Sequence, residues 1–308
     1  MQWATPSDQP ALLRLFEQVF GAQMPTAEWA WKYPAIGGLS LLARRDTDVV
    51  AHYGGQPRRL LGLGAPLSAV QVSDIMVDAS GRGALARRGL FAHIASAFTE
   101  AVTLPRGEHA FVFGFPSPRA SRLGELLGLY ARMDQLHCAS WEAREERPSG
   151  RALSLAVLHR QADALWQQQA AALAAAHLLG VRDGAWVSRR YLSHPSGAYR
   201  AWSLGSRWWR RTQAVAVYRE HADALELLDL LGAPTGYPAL IEALRALAGR
   251  RGKARLFTWA TNAVLLGLPP SAEKTPLLTV NLAGPRCHAQ AACFGQRCWM
   301  MAGDTDYR

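Results

Sequence analysis

Residues 73–91, SDIMVDASGRGALARRGLF, decide the fold that we predict for this chain. An apolar strand runs to Val77, a loop rich in glycine and arginine follows it, and an amphipathic helix begins at Leu90. The N-terminus of a helix offers unpaired N–H groups and a partial positive charge, and glycines let a phosphate approach the backbone. Three loop arginines add donors, namely Arg82, Arg87 and Arg88. The stretch therefore predicts a cradle for a phosphate group.

Other phosphate-binding loops fit this stretch less well. It contains no Gly-Lys-Ser or Gly-Lys-Thr, so it is not the P-loop of nucleotide hydrolases. Its glycines lack the spacing of a dinucleotide-binding fold, and no acidic residue ends a strand about 20 residues further on. The surrounding elements therefore decide which class of phosphate ligand the loop takes.

These elements follow a definite order along the first half of the chain. Hydrophobic periodicity and turn residues predict strand 1–4, a helix from Pro6, helix 27–33, strands 39–44, 49–61 and 67–77, helix 90–102, strand 110–115, helix 118–129 and strand 133–143. Together with the loop and the strand end Gly114-Phe115-Pro116-Ser117, this order resembles the GNAT acyltransferase superfamily over residues 1–143.

The resemblance implies a fold and a substrate. We expect an α/β fold with a central mixed β-sheet flanked by helices, and acetyl-CoA or another acyl-CoA as the acyl donor. The backbone of Ile75, Met76 and Val77 would bind the acyl and pantetheine groups. The pyrophosphate would lie on the loop and first helical turn, whose predicted contacts are Arg82, Gly83, Arg87, Arg88, Gly89, Leu90 and Phe91. Because the loop is about three residues longer than the family's, either group of arginines could be the phosphate ligand.

Two positions depart from the family pattern. Where the family often has an asparagine after the splayed strand, this chain has Ser117, which we assign to the cofactor site. Where the family often has a tyrosine as general acid, this chain has Gly124. Tyr130 follows shortly afterwards, and it could supply the hydroxyl from another direction or serve only for packing. Tyr130 is therefore the candidate acid.

Asp74 is the candidate base, because acyl transfer to an amine needs a group that removes the ammonium proton. Strict alternation along the strand predicts Gln71, Ser73 and Val77 on one face and Asp74 and Asp78 on the other. An acid in an apolar strand could equally form a structural ion pair with a nearby arginine.

The second half repeats the plan of the first, which predicts two tandem GNAT-like domains, residues 1–150 and 151–308. Asp229 occupies the position that matches Asp74, which favours a structural role for the aspartate. In place of the arginine loop the second half has residues 233–238, with no arginine and with two prolines that remove amide donors. The second domain is therefore expected to be degenerate and to shape the substrate cleft.

Two further candidates remain. His52 is a further candidate base in the first half, and the acidic tail from Gly303 could enter the cleft.

Composition limits the remaining function classes. The chain has 308 residues, 49% of them hydrophobic and 19% charged, which is typical of a globular protein. Its net charge of +10 comes from scattered arginine pairs, so nucleic acid is an unlikely partner. The N-terminus lacks signal-peptide features and no apolar stretch is long enough to span a membrane, so we expect no membrane partner and a cytoplasmic location. Cys287, Cys293 and Cys298 include no pair with the Cys-x2-Cys spacing of a zinc knuckle, and we expect no metal.

The leading functional hypothesis is an acyltransferase that moves an acyl group from acyl-CoA to an amine or hydroxyl by direct attack. The acceptor, a small molecule or a peptide, is not specified by the sequence. An acyl carrier protein could replace CoA as the donor, since a basic surface suits an acidic carrier. A non-catalytic GNAT-like binding protein is the alternative that the missing helix tyrosine favours.

Overall fold

The computed structural model describes residues 1–34, 38–79, 89–205 and 212–305. The chain forms two compact units. Unit 1 comprises Met1–Arg59, Leu67–Met133 and Thr279–Cys293, and unit 2 comprises Leu60–Pro66, Asp134–Leu278 and Phe294–Arg308. Each unit contains a mixed sheet with helices packed against it, as the predicted α/β fold requires. In the described residues no helix is long and apolar enough to cross a membrane.

Strands and helices of the first half lie close to their predicted positions. They are β1 (Gln2–Trp3), α1 (Gln9–Phe20), α2 (Thr26–Lys32), β2 (Leu39–Arg45), β3 (Asp48–Gly62), β4 (Ala65–Val77), α3 (Leu90–Val102), β5 (Phe111–Gly114), α4 (Pro118–Leu126) and β6 (Tyr130–Glu142). In the sheet of unit 1 the order is β1-β2-β3-β4-β5, and β4 and β5 are parallel.

The other edge of β5 pairs with a strand from the end of the sequence. Asn281, Leu282 and Ala283 of β13 (Glu273–Ala283) run antiparallel to the residues Gly114, Phe113 and Val112. Sequence reasoning did not foresee this pairing, because nothing local marks the partner of a strand. The compact units are consequently discontinuous in sequence, and the predicted domain division at residue 150 stays a prediction.

Helices cover both faces of the unit 1 sheet. Leu12 and Leu15 of α1 and Trp29 of α2 pack with Leu42 and Met76 on one face. On the other face, α3 places Ile94 and Phe98 against Tyr53, Val70 and Val112. The adjacent glycines of β3 make room for an aromatic ring on each side, because a Cβ at Gly54 would lie 2.1 Å from the Tyr33 hydroxyl and one at Gly55 would lie 2.7 Å from the Phe98 ring.

The second half of the chain contains a longer series of strands and helices than the first. They are β7 (Arg151–Leu153), α5 (Leu155–Leu173), β8 (Leu178–Gly180), α6 (Gly184–Val187), a π-helical turn (Ser188–Leu192), β9 (Tyr199–Gly205), β10 (Thr212–Glu220), β11 (Ala224–Gly232), α7 (Tyr237–Arg250), β12 (Arg255–Thr261), α8 (Asn262–Leu265), β13, α9 (Cys287–Phe294) and β14 (Cys298–Trp299). The strands β11 and β12 are parallel, as β4 and β5 are in unit 1.

One helix of unit 2 begins earlier than the periodicity predicts. We predict a helix over residues 162–179 and a strand over residues 152–158, whereas α5 begins at Leu155. The Ser154 hydroxyl accepts the N–H of Val157, which caps the helix and ends the strand before it. The local capping interaction therefore outweighs the strand-like composition.

Candidate functional site

The sequence predicts the acyl-CoA site where the pairing of the parallel strands β4 and β5 ends. They pair only through Ala69, Val70 and Gln71 of β4 in the described register, whereas β4 continues to Val77. β5 ends at Gly114, so β4 extends past the end of its parallel neighbour, and the place beside this extension is called the gap below. Backbone N–H and C=O groups along such an edge are able to bind an extended ligand.

Asp74 interrupts the regular alternation of β4. Its φ of 49° lies in the left-handed region that non-glycine residues rarely adopt. Ser73 and Asp74 both hydrogen-bond to the Tyr33 hydroxyl, so they share the α2 face. Val77 packs on the opposite face against the apolar cluster around Ile94 and Phe98 of α3, which is called the α3 cluster below. The prediction that Ser73 and Val77 share a face is therefore wrong, because the irregularity at Asp74 shifts the alternation.

A buried ion pair holds the carboxylate of Asp74. Lys32 Nζ lies 3.1 Å from Oδ1 and 3.3 Å from Oδ2, and the Tyr33 hydroxyl donates to Oδ2 at 2.8 Å. The Lys32 and Asp74 side chains are 5% and 7% exposed. The alternative that the sequence left open, an ion pair with a basic residue, is thus present, with lysine in place of arginine.

His52 binds the main chain of the same residue. Its Nδ1 lies 2.7 Å from the Asp74 carbonyl oxygen, and its Nε2 lies 2.8 Å from Ser40 Oγ. A carbonyl only accepts, so Nδ1 carries the proton and Nε2 accepts the Ser40 hydroxyl. Burial lowers the pKa of His52 to about 4, although Asp74 acts in the opposite direction. His52 is therefore a neutral imidazole, fully buried, with both nitrogens engaged.

The predicted phosphate site is described only in part. Arg82, Gly83, Arg87 and Arg88 lie outside the described residues. Gly89 is the N-cap of α3, and its carbonyl accepts the N–H of His93. Leu90 and Phe91 form the first turn and pack partly against the α3 cluster. The N-terminus of a 13-residue helix therefore follows directly on the loop, as the sequence predicts.

Tyr130 occupies the space that a side chain at Gly124 would fill. A Cβ built on Gly124 would lie 2.0 Å from Cδ2 of the Tyr130 ring. The Tyr130 hydroxyl lies 3.4 Å from the Tyr53 hydroxyl, and both residues are buried. Burial raises the pKa of Tyr130 to about 12, so the hydroxyl keeps its proton at neutral pH. Position 124 therefore has no room for a side chain while the Tyr130 ring occupies this space.

The two tyrosine hydroxyls meet across the gap region of the sheet. Tyr53 belongs to β3, which neighbours β4 in the sheet. Tyr130 begins β6, on the other side of β4, β5 and β13 in the strand order. The contact of the two hydroxyls therefore joins β3 to β6, which are not neighbours in the sheet.

Ser117 and Asn281 lie at the end of β5. The exposed Ser117 caps α4 by accepting the N–H of Ala120 at 3.3 Å. Asn281 lies opposite Gly114 and its amide donates to Ser121 of α4 at 3.0 Å. No sequence signal linked Asn281 to this place, because it lies more than 150 residues from α4 in the chain. The structure thus supplies an asparagine near the strand end from β13 instead of from α4.

In unit 2 the chain itself fills the corresponding gap. The strands β11 and β12 pair over Ala224–Leu227, and the C-terminal segment then lies between them. On the β12 side, Thr261 N–H donates to the Met300 carbonyl at 3.0 Å. On the β11 side, a Cβ at Gly303 would lie 2.9 Å from the Leu228 carbonyl oxygen. The segment Cys298–Thr305 is buried throughout and is called the tail segment below.

The aspartate at the matching position of unit 2 is also held by a tyrosine. Asp229 accepts the Tyr191 hydroxyl at 3.0 Å, as Asp74 accepts that of Tyr33. Trp186 precedes Tyr191 by five residues across the π-helical turn, and Trp29 precedes Tyr33 by four. The predicted correspondence between Asp74 and Asp229 is therefore visible in their contacts.

A mixed sheet with diverging parallel strands beside a helix N-terminus is the fold of the GNAT acyltransferases. Residues 2–124 match the family model described as an acetyltransferase (GNAT) domain. This stretch is therefore a GNAT domain, which confirms the resemblance seen in the sequence. No curated protein matches the chain.

Solved structures share this fold over almost the whole chain. A protein from Enterococcus faecalis V583, described as a probable N-acyltransferase, has a TM-score of 0.68 at 14% identity, over 94% of this chain and 73% of that chain. A GCN5-related N-acetyltransferase from Kribbella flavida has a TM-score of 0.67 at 16% identity, over 94% and 71%. Saccharomyces cerevisiae N-myristoyltransferase with bound myristoyl-CoA has a TM-score of 0.59 at 10% identity, over 92% and 82%. At identities of 10%, 14% and 16%, these structural similarities show the fold alone.

Proposed function

We propose that this protein is an acyltransferase that uses the gap between β4 and β5 of unit 1 to bind an acyl-CoA and transfers the acyl group to an amine or hydroxyl acceptor. The observation that carries the proposal is the extension of β4 beyond its pairing with β5, next to the N-terminus of α3, within the stretch that matches the GNAT family. The backbone of Ile75, Met76 and Val77 would bind the pantetheine. The loop with Arg82, Gly83, Arg87 and Arg88, continued by Gly89, Leu90 and Phe91, would bind the pyrophosphate.

The reaction is a direct displacement at the thioester. The acceptor nitrogen attacks the thioester carbonyl carbon, a C–N bond forms, the C–S bond breaks, and the sulfur leaves as CoA thiolate. The ammonium proton passes to a base before attack, and a proton returns to the sulfur afterwards. Asp74 is the proposed base, for which the acceptor ammonium competes with the Lys32 and Tyr33 contacts of its carboxylate.

Tyr130 is the proposed donor to the leaving sulfur. Because burial raises its pKa to about 12, its hydroxyl is protonated and available as a donor throughout the neutral range. A thiolate is a weaker base than this phenolate, with a usual pKa of about 8.5 for a cysteine thiol. Tyr130 therefore stabilises the departing thiolate by a hydrogen bond, and Ser117 lies at the neighbouring strand end as a proposed cofactor contact.

One acyl-CoA per chain is the proposed stoichiometry. In unit 2 the tail segment lies in the place between β11 and β12 that corresponds to the proposed ligand gap of unit 1. The loop after β11 also lacks arginine and contains two prolines. Both features favour a single site, in unit 1.

Titration calorimetry with acetyl-CoA tests the proposal. We expect about one site per chain, with an affinity that falls roughly 30-fold in the double variant Arg87→Glu/Arg88→Glu, because each reversal replaces attraction for the pyrophosphate with repulsion. The matched control is Arg250→Glu/Arg251→Glu, an arginine pair of unit 2, which should leave binding unchanged. Failure of folded wild type to bind acetyl-CoA or longer acyl-CoAs would contradict the proposal for CoA and leave an acyl carrier protein as the donor to test.

The variant Tyr130→Phe tests whether this protein is an enzyme or a non-catalytic binding protein. We expect Tyr130→Phe to lower kcat by roughly tenfold to hundredfold, because it removes one hydrogen-bond donor from the leaving group while the ring still fills the space at Gly124. CoA release from acetyl-CoA in the presence of a panel of primary amines measures the effect, and Tyr218→Phe in unit 2 is the control. Tight acetyl-CoA binding without turnover on any amine would instead support the non-catalytic alternative.

A further inference from the structure

The backbone at Asp74 needs support from its surroundings. A left-handed conformation at a residue other than glycine costs on the order of 1–2 kcal/mol. Here it falls on the residue that links the paired part of β4 to the part that faces the gap. The conformation also sets the direction of the following backbone groups, since Ile75 and Val77 pack towards α3 while Met76 packs towards α1 and α2.

The atoms that hold this conformation come from two other elements. Tyr33, the C-cap of α2, hydrogen-bonds to Ser73 Oγ at 2.9 Å and to Asp74 Oδ2 at 2.8 Å. His52 of β3 donates to the Asp74 carbonyl at 2.7 Å. Of these contacts, the one from His52 acts directly on the backbone plane between Asp74 and Ile75.

The surroundings of His52 hold its ring as a fixed hydrogen-bond donor and prevent it from acting as a base. Ser40 occupies the second nitrogen and so determines the tautomer that points N–H at the carbonyl. The ring lies 5.4 Å from that of Trp29 and 5.5 Å from that of Tyr33, and the residue is fully buried. A Cβ at Gly54 would lie 2.7 Å from Cε1, so glycine is needed beside the ring. An imidazole enclosed in this way has no route for exchanging protons with a substrate.

We propose that His52, oriented by Ser40, is a positioning residue that sets the backbone direction of Ile75–Val77 and thereby the geometry with which unit 1 binds the pantetheine and acyl groups. The inference rests on the proposed function of unit 1, and it adds a residue that touches neither substrate. His52 acts through the Asp74 carbonyl. The sequence alone makes His52 a candidate base, and the positioning role replaces that function.

Two substitutions distinguish the loss of the N–H donor of His52 from the loss of its ring volume. His52→Leu removes the donor and keeps an apolar side chain. His52→Asn keeps an N–H group at the δ position, within reach of the Asp74 carbonyl, and loses the contact with Ser40. The probes are CoA, which would contact both β4 and the phosphate loop, and adenosine 3′,5′-bisphosphate, which lacks pantetheine and would contact only the loop side.

We expect His52→Leu to weaken CoA binding about tenfold while adenosine 3′,5′-bisphosphate binds as to wild type, and His52→Asn to restore most of the loss. A merely structural defect would weaken both probes equally or leave both unchanged, and either pattern would overturn the proposal. Amide hydrogen exchange of peptides covering residues 72–79, measured without ligand, tests the same point independently of CoA. Faster exchange in the leucine variant, reversed in the asparagine variant, is expected even if CoA is not the donor, and wild-type exchange in the leucine variant would overturn the inference.

Discussion

Replacing Arg182 with methionine is expected to lower the free energy of unfolding by about 3–5 kcal/mol, because it leaves two buried carboxylates without their counter-charge. Arg182 is completely buried and lies between Asp229 and Asp304. Its Nε donates to Asp229 at 2.6 Å and its Nη2 donates to Asp304 at 2.5 Å. A third donor, Nη1, reaches the Gly180 carbonyl at 2.7 Å. The guanidinium therefore joins the middle of β11 to the tail segment within unit 2.

Chemical denaturation of Arg182→Met beside wild type measures the effect. The matched control is Arg106→Met, since Arg106 pairs with Glu100 at 2.7 Å while 73% of its side chain is exposed, and such pairs contribute about 0–1 kcal/mol. The triple variant Arg182→Met/Asp229→Asn/Asp304→Asn should be more stable than the single variant, because it removes the uncompensated charges as well. If Arg182→Met and Arg106→Met lower the free energy of unfolding by the same amount, the ion pairs of Arg182 do not fix the tail segment.

The sequence predicted the elements of unit 1 well because their signals are local. Helix α3 shows a clear apolar periodicity after a glycine, and β5 is an uninterrupted apolar run. The pairing of β5 with β13 was not predictable in this way. A strand edge carries only backbone groups, and the choice of partner depends on loop geometry far away in the chain.

The candidate site shows the same limit. Asp74 and Tyr130 were found from residue type and position, but their partners were not. Lys32 and Tyr33 lie about 40 residues from Asp74 in sequence, and the pairing exists because α2 packs on the face to which the irregularity in β4 turns the aspartate. The candidacy of Tyr130 as the acid follows from the sequence, whereas only the structure shows that its ring fills the space that a side chain at Gly124 would need.

Acid should destabilise this protein partly through His52. Burial lowers the pKa of His52 from 6.5 to about 4, so between these pH values the unfolded chain binds a proton that the folded chain excludes. The free energy of unfolding therefore falls as the pH falls through this window and is unaffected by His52 above it. A difference of about 2.5 pKa units corresponds to about 3 kcal/mol in total, of which about 2 kcal/mol is lost between pH 7 and pH 5. The charged groups that act on His52 are Lys32 of α2 and Asp74 of β4, with opposite signs.

Urea denaturation of wild type and His52→Asn at pH values from 7 to 5 isolates this contribution, because every other titrating group is common to both proteins. We expect the asparagine variant to be less stable than wild type at pH 7, since it loses the contact with Ser40, and its deficit to shrink by about 2 kcal/mol at pH 5. A buried carboxylate such as that of Asp8, whose pKa is lowered by the hydrogen bond from Thr5, acts at more acidic pH and cancels in the comparison. Parallel pH profiles would mean that His52 accepts a proton in the folded state as readily as in the unfolded chain. Such a result would contradict the enclosed, neutral imidazole on which its positioning of β4 depends.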